Sequence, residues 1–162
     1  MKIKRITEME VEMNQLQAGD KLQITDAEWK VLEVRDGKAL IWKCTNIKDH
    51  IFNENNSNIY EGPDIQKYLQ TDFKDEFHSH GLLDIVTDDG FFLLTVDQIK
   101  KYMPKEIDRI ATDEDGYTTW YWTASPDVGG AHYVRGINPA GYVNYYDAGN
   151  SYGVAPACWI NL

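Results

Sequence analysis

Residues 29–44, WKVLEVRDGKALIWKC, decide how the chain begins to fold. Trp29 to Val34 and Ala39 to Cys44 are rich in β-branched, aromatic and aliphatic residues, and Asp36-Gly37 lies between them. An Asp-Gly pair supplies the positive φ angles of a tight turn whose twist matches that of its flanking strands. The stretch therefore predicts a β-hairpin. Upstream, Met1 to Gln17 predicts a strand or a short lead-in, and Ala18-Gly19-Asp20 a turn.

Downstream, Asp49 to Gly62 is polar, holds four asparagines and predicts a loop. Pro63 beside Asp64 opens a helix, because proline is tolerated in the first turn. Ile65, Tyr68 and Leu69 recur at helical spacing, which predicts a helix over Pro63 to Leu69, resuming toward Phe77 after a break. Phe91 to Leu94 predicts a short buried strand. Thr95 then caps a second helix from Val96 to Met103, which Pro104 stops. Lys105 to Thr119 is a charged connection with no clear period.

No helical period survives past residue 120. Trp120 to Thr123, Ala131 to Arg135, Tyr142 to Tyr146 and a last stretch through Trp159 to Leu162 predict strands, with Asn138-Pro139-Ala140-Gly141 as a hairpin loop. Strands, then helices, then strands is the order of an α+β fold, and it places both ends of the chain in one sheet.

The chain of 162 residues is expected to form a single domain over 1–162, long enough to bury a core. A net charge of −10 argues against nucleic acid and anionic membranes as partners, since both require a Lys/Arg footprint. No segment approaches the roughly 20 apolar residues of a membrane span, so no membrane insertion is expected. The basic start Met1-Lys2-Ile3-Lys4-Arg5 runs into Glu8, Glu10 and Glu12 where a signal peptide carries its apolar region. The expectation is no signal peptide and a cytoplasmic protein, with later incorporation into a particle left open.

Motifs for chemistry are weak. Cys44 and Cys158 lack motif spacing and read as buried reduced thiols. His78 and His80 have too few companions for a zinc site and read as a solvated helix end. Asp113-Glu114-Asp115-Gly116 resembles half of a calcium loop without its closing Glu, and reads as an acidic turn. Nothing gathers the scattered carboxylates into an acid/base pair. The expectation is therefore no catalytic residue, no metal and no cofactor.

The last third is composed differently. Tyr117 to Leu162, the candidate binding segment 117–162, holds seven tyrosines and three tryptophans but only Asp127, Arg135 and Asp147 as formal charges. Tyr, Asn, Ser and Gly on turns suit recognition, because Tyr offers wide amphipathic contact at low entropy cost.

The motifs "YWTASP", "AHYV", "AGYVNYY" and "GVAPACWINL" resemble, in that order, the closing segment of a family of small bacterial and phage domains of unknown function. "EWKVLEVRDGKALIW", "PDIQKYLQTDF" and "FFLLTVDQIKKY" match its hairpin and helices, so the resemblance runs from about Leu16 to the end. The tail is also similar to the variable proteins of diversity-generating retroelements, binding proteins on a C-type-lectin-like scaffold. The resemblance implies a C-type-lectin-like fold, a phage or bacterial host and a protein or cell-surface ligand. It implies scaffold roles for Trp122, Tyr133, Val134, Gly141, Val143, Gly153 and Pro156. Two arginines of the family's tail are replaced here by Ala124 and Ala155, so any anion-binding or ion-pairing role they carry is missing.

In those retroelement systems, adenines are randomised in codons that end in a pyrimidine. Such codons never encode Lys, Glu, Gln, Met or Trp, and those five types are absent from Thr123 to Cys158. The alternative is that a tight β/loop segment disfavours long charged side chains. Strand alternation places Val143 and Tyr145 on the core face, and Tyr142, Asn144 and Tyr146 outward. The preceding loop adds His132, Arg135, Ile137 and Asn138, the following one Ala148, Asn150 and Tyr152, and Asp127 and Val128 rim the patch. These twelve residues are the expected ligand-binding surface. Two other readings stay open: a lectin-fold enzyme of the sulfatase-modifying type using Cys158, and an assembly module that homo-oligomerises through the same face.

Overall fold

The Asp36-Gly37 turn forms with φ of 52° and 71°, the double left-handed geometry of a type I′ hairpin. The computed structural model describes residues 1–6, 10–61 and 63–162. Part of the expected lead-in, residues 7–9, thus lies outside the described residues. The first half comprises β1 (Lys2–Arg5), β2 (Glu10–Glu12), β3 (Lys21–Ile24), β4 (Ala27–Arg35), β5 (Lys38–Lys43) and β6 (Asp49–Ile51). Helix α1 (Pro63–Ser79), β7 (Phe92–Leu93) and α2 (Val96–Tyr102) follow. The rest is β8 (Ala111–Thr112), β9 (Thr118–Thr119), β10 (Tyr121–Pro126), β11 (Tyr133–Ile137), β12 (Val143–Asp147), β13 (Ser151–Gly153) and β14 (Pro156–Asn161).

The protein is α+β, with two antiparallel-rich sheets. The larger sheet has the order β2-β1-β3-β4-β5-β14-β7, and the second β12-β11-β10-β13-β6; β8 and β9 form a separate ribbon. The last strand pairs with the hairpin in register from Ala157 opposite Trp42 to Asn161 opposite Lys38. Both chain ends therefore share one sheet, as the order of elements implied. Helix α1 is continuous, without the expected break after Leu69. Phe73 and Phe77 extend its apolar stripe, and packing of that stripe outweighs the polar residues between them. The loop expected over Asp49 to Gly62 contains β6, which pairs with β13. At α2, Thr95 accepts from the Gln98 amide at 3.1 Å while the Gln98 side chain accepts from the Thr95 amide at 2.9 Å, a complete capping box.

Strand β5 is buried on both faces. Ala39 and Ile41 join Trp29, Val31 and the α1 residues Ile65, Leu69 and Phe77 in one apolar cluster. Leu40 and Trp42 join Ile99 and Met103 from the α2 side in another. Strand β10 repeats the division, with Trp122 in the first cluster and Tyr121 in the second. Two cores thus lie on opposite sides of each central strand. That explains why β5 reads as an unbroken apolar run over Ala39 to Trp42 rather than an alternating one.

A Cβ at Gly37 meets no atom within 4 Å, so a substitution there probes the backbone alone. Gly37→Ala should lower stability by about 1–2 kcal/mol through the left-handed φ, read as a lower urea midpoint at unchanged m value.

Candidate functional site

The C-terminal surface is built on β10, β11 and β12. Strands β11 and β12 pair from Ile137 opposite Val143 to Tyr133 opposite Asp147. Their loop is fixed by Asn138, whose side-chain oxygen accepts from the amides of Ala140 and Tyr142 at 3.0 and 2.9 Å. Gly141 sits at φ 89° with the Glu106 carbonyl where a Cβ would be, so only glycine fits. The buried Arg109, 6% exposed, donates to the carbonyls of Met103, Gly141 and Pro104. Tyr121 donates its hydroxyl to the Arg109 carbonyl at 2.5 Å. The loop after α2 is thereby tied to the hairpin that carries the surface.

The two faces of this hairpin differ from a simple inside and outside. Val134 and Tyr146 share one face, directly opposite one another, and that face closes over Trp122. The other face carries Ile137 and Val143 at one end, covered by the second core. Further along the same face the cover stops. There Tyr145 is 54% exposed, its ring edge-on to Tyr133 at 5.1 Å, with Arg135 directly opposite it in β11. His132 lies against Tyr133 at 4.0 Å and 3.9 Å from the Asp147 carboxylate. Arg135 makes no ion pair among the described residues, so its guanidinium is available to a ligand.

The expected surface is corrected in several places. Ile137 and Ala148 are fully buried, Ile137 in the second core and Ala148 in the first, so neither can touch a ligand. Tyr146 points inward rather than outward. Its ring occupies the space over Gly136, 6.2 Å from Trp122 and 4.5 Å from Tyr152. Burial raises its pKa well above the usual tyrosine range, and its hydroxyl finds no hydrogen-bond partner among the described residues. Tyr152 packs edge-on to Trp122 at 5.1 Å and is half-buried. Tyr145, assigned to the core by strand alternation, is the exposed one. Alternation failed because Val143 does face a core, but one that ends before Tyr145.

The remaining expected residues reach solvent. Tyr142 is 56% exposed, and Val128 projects fully from the β10–β11 loop. His132, Asn144 and Asn150 are exposed, while Asp127, Arg135 and Asn138 are half-buried. Asp127 is partly committed to its own turn, accepting from the Gly129 amide at 3.0 Å. A strip therefore joins His132, Tyr133, Arg135 and Tyr145, while the exposed Tyr142 lies in the loop before β12 and the exposed Asn144 on the opposite face of that strand. Tyr133 and Tyr145 were missed by the sequence reading.

Also missed was what holds the loops. The Asn58 amide donates to the carbonyls of Gly130 and Tyr133 at 3.0 and 3.1 Å, bracing the β10–β11 loop. Asn56 accepts from the Gly149 amide at 2.8 Å, and the Asn53 amide donates to the Ala148 carbonyl at 3.0 Å, bracing the β12–β13 loop. The asparagine-rich stretch is the support beneath the surface.

The strip offers aromatic rings, the Arg135 guanidinium, amides and a His/Asp pair, a set suited to holding a ligand. Cys158 lies in the first core, fully buried, where burial raises its thiol pKa. That weighs against its use as a nucleophile. Ala155 is buried in the second core, and Ala124 packs beside the first.

Tyr146→Ala should cost about 2–4 kcal/mol by emptying the ring's site, whereas Tyr145→Ala should stay within about 0.5 kcal/mol, both by chemical denaturation. Tyr146→Phe should hold or raise stability by up to about 1 kcal/mol, since it removes a buried hydroxyl without a partner. Burial pushes the Cys44 thiol up to about 12. Both thiols should therefore remain protonated and unreactive toward a disulfide reagent at pH 8, and react at once in denaturant. Compared with known proteins, the chain matches no family model, no curated sequence and no solved structure.

Proposed function

We propose that this protein is a ligand-binding protein whose recognition surface is the open strip on β11 and β12, on a scaffold of C-type-lectin-like type. The observation that carries this reading is which residue types occupy the exposed positions between Thr123 and Cys158. Val128, Ala131, His132, Ala140, Tyr142, Asn144, Tyr145, Asn150 and Ser151 are all exposed, and none is Lys, Glu, Gln, Met or Trp. Elsewhere Lys and Glu fill exposed positions freely, as at Lys2, Lys4, Lys38, Lys67, Glu54 and Glu61. Tight packing accounts for the lack of long charged side chains at buried sites, but packing sets no limit at these exposed ones. Restriction to pyrimidine-ended codons accounts for both, which supports diversification by a retroelement.

The ligand on this reading is a protein or cell-surface molecule, met by aromatic rings and amides with Arg135 as the charged anchor. Hot-spot residues of these types typically cost about 2 kcal/mol or more when truncated. Incorporation into a phage particle or a cytoplasmic complex fits the proposal. No helix among the described residues is long and apolar enough to cross a membrane.

Two measurements test it. DNA flanking the gene should hold a near-copy of the 3′ coding region that differs at adenines in the codons for Tyr142, Asn144 and Tyr145, beside a reverse-transcriptase gene. Displayed libraries varied at His132, Arg135, Tyr142, Asn144 and Tyr145 should fold and yield binders to an unrelated folded protein. Flanking DNA without a template copy removes the diversification, and libraries that fold but never yield a binder remove the recognition surface.

A further inference from the structure

A polar cleft of about 350 Å³ opens between α1 and the end of the larger sheet. It shares no residue with the β11–β12 strip. Lys43, the last residue of β5, enters it from the sheet side and is only 5% exposed. Its ammonium lies 3.7 Å from Glu76 Oε2 and 5.4 Å from the centre of the Phe73 ring. The other Glu76 oxygen accepts from the Thr25 hydroxyl at 2.7 Å. One long ion pair uses little of what three ammonium hydrogens can donate. Burial lowers the Lys43 pKa; Glu76 opposes that shift, and the nearby Lys48 adds to it.

The other groups facing the cleft have capacity to spare. Lys48 has no ion-pair partner among the described residues. Asp72, one turn before Glu76 on α1, accepts only from the neighbouring Thr71 hydroxyl among the described residues. The Tyr68 hydroxyl makes no hydrogen bond among the described residues, and burial pushes its pKa up to about 12. Thr25 and Asn46, at the rim, hold φ of 58° and 54°, two of the four described non-glycine residues in the left-handed region. Backbone of that kind persists where the surroundings over-determine it, and it gathers at binding sites.

Lys43 reaches the cleft from the end of β5 and Lys48 from the segment before β6, while Asp72 and Glu76 come from α1. Asp26 on the β3–β4 turn and His80 at the end of α1 complete the titratable lining. An anion alone meets three carboxylates here, and a cation alone meets two ammonium groups. A molecule carrying both charges meets an opposite partner at each end. We propose that this cleft binds a small dipolar molecule of the free α-amino acid class, its carboxylate toward Lys43 and Lys48, its ammonium toward Asp72 and Glu76, and its apolar part against the Tyr68 and Phe73 rings. The volume is at the small end of ligand cavities, which suits such a molecule and excludes larger cofactors.

The test is an amide-shift NMR titration of the full chain with glycine, leucine, phenylalanine, glutamate and lysine, with acetate and methylammonium as single-charge controls. At least one amino acid should give saturable shifts confined to residues around Thr25, Lys43, Asn46 and Tyr68, with both controls binding about tenfold more weakly or worse. Lys48→Met and Asp72→Asn should each weaken that binding about tenfold at an unchanged melting temperature, since neither residue takes part in the Lys43–Glu76 pair. The proposal is overturned if no probe shifts the spectrum at about 10 mM, if the controls bind as well as the amino acids, or if both variants bind like the parent.

Discussion

Strand β14 closing onto β5 is the contact on which the rest of the molecule rests. It joins the final residues of the chain to the hairpin formed near its beginning, through five consecutive pairs from Ala157–Trp42 to Asn161–Lys38. Both strands are buried on both faces, so this seam separates and organises the two cores. Because β13 runs directly into β14, and β13 lies beside β10, closing the seam also places the second sheet. The open strip on β11 and β12 is carried on that sheet. The β14–β5 pairing joins residues most of the chain length apart, so it is slow to form.

Local signals in the sequence were read well where one local force dominates. The Asp36-Gly37 turn, the Thr95 cap and the apolar run of β5 each follow from turn geometry, capping or burial alone. The reading failed where two forces meet in one strand. Val143 was rightly placed toward a core, and period-2 alternation then put Tyr145 there too. Alternation says which side chains share a face, not how far along that face the cover extends. Here the second core ends between Val143 and Tyr145, while the first core captures Tyr146 from the other side. No pattern in residues 142–146 encodes those limits, since they are set by Trp122, Tyr152 and Ile137 from other strands.

The supports of the surface were illegible for a related reason. Asn56 and Asn58 look like ordinary loop asparagines, and their partners Gly149, Gly130 and Tyr133 lie far along the chain. Arg109 likewise sits in a charged connection and gives no sign that its guanidinium will be buried against carbonyls. In each case a side chain satisfies backbone groups of a distant loop, an obligation that arises only once that loop is folded against it. The α1 cleft has the same character, since residues from Thr25 to His80 meet there only after α1 has docked.

Charge distribution gives the strip a further property. Of the net −10, the segment from Tyr117 onward contributes a single negative charge, Asp127 and Asp147 against Arg135. The body is therefore strongly acidic and the C-terminal segment close to neutral. Two copies approaching through their bodies repel each other over roughly a Debye length, whereas approach through the strip meets little field. On the proposed binding reading, neither long-range attraction nor repulsion preselects a partner by charge sign, and short-range aromatic and amide contacts decide. On the same reading, a near-neutral strip on an acidic frame leaves recognition to the side chains at the strip itself.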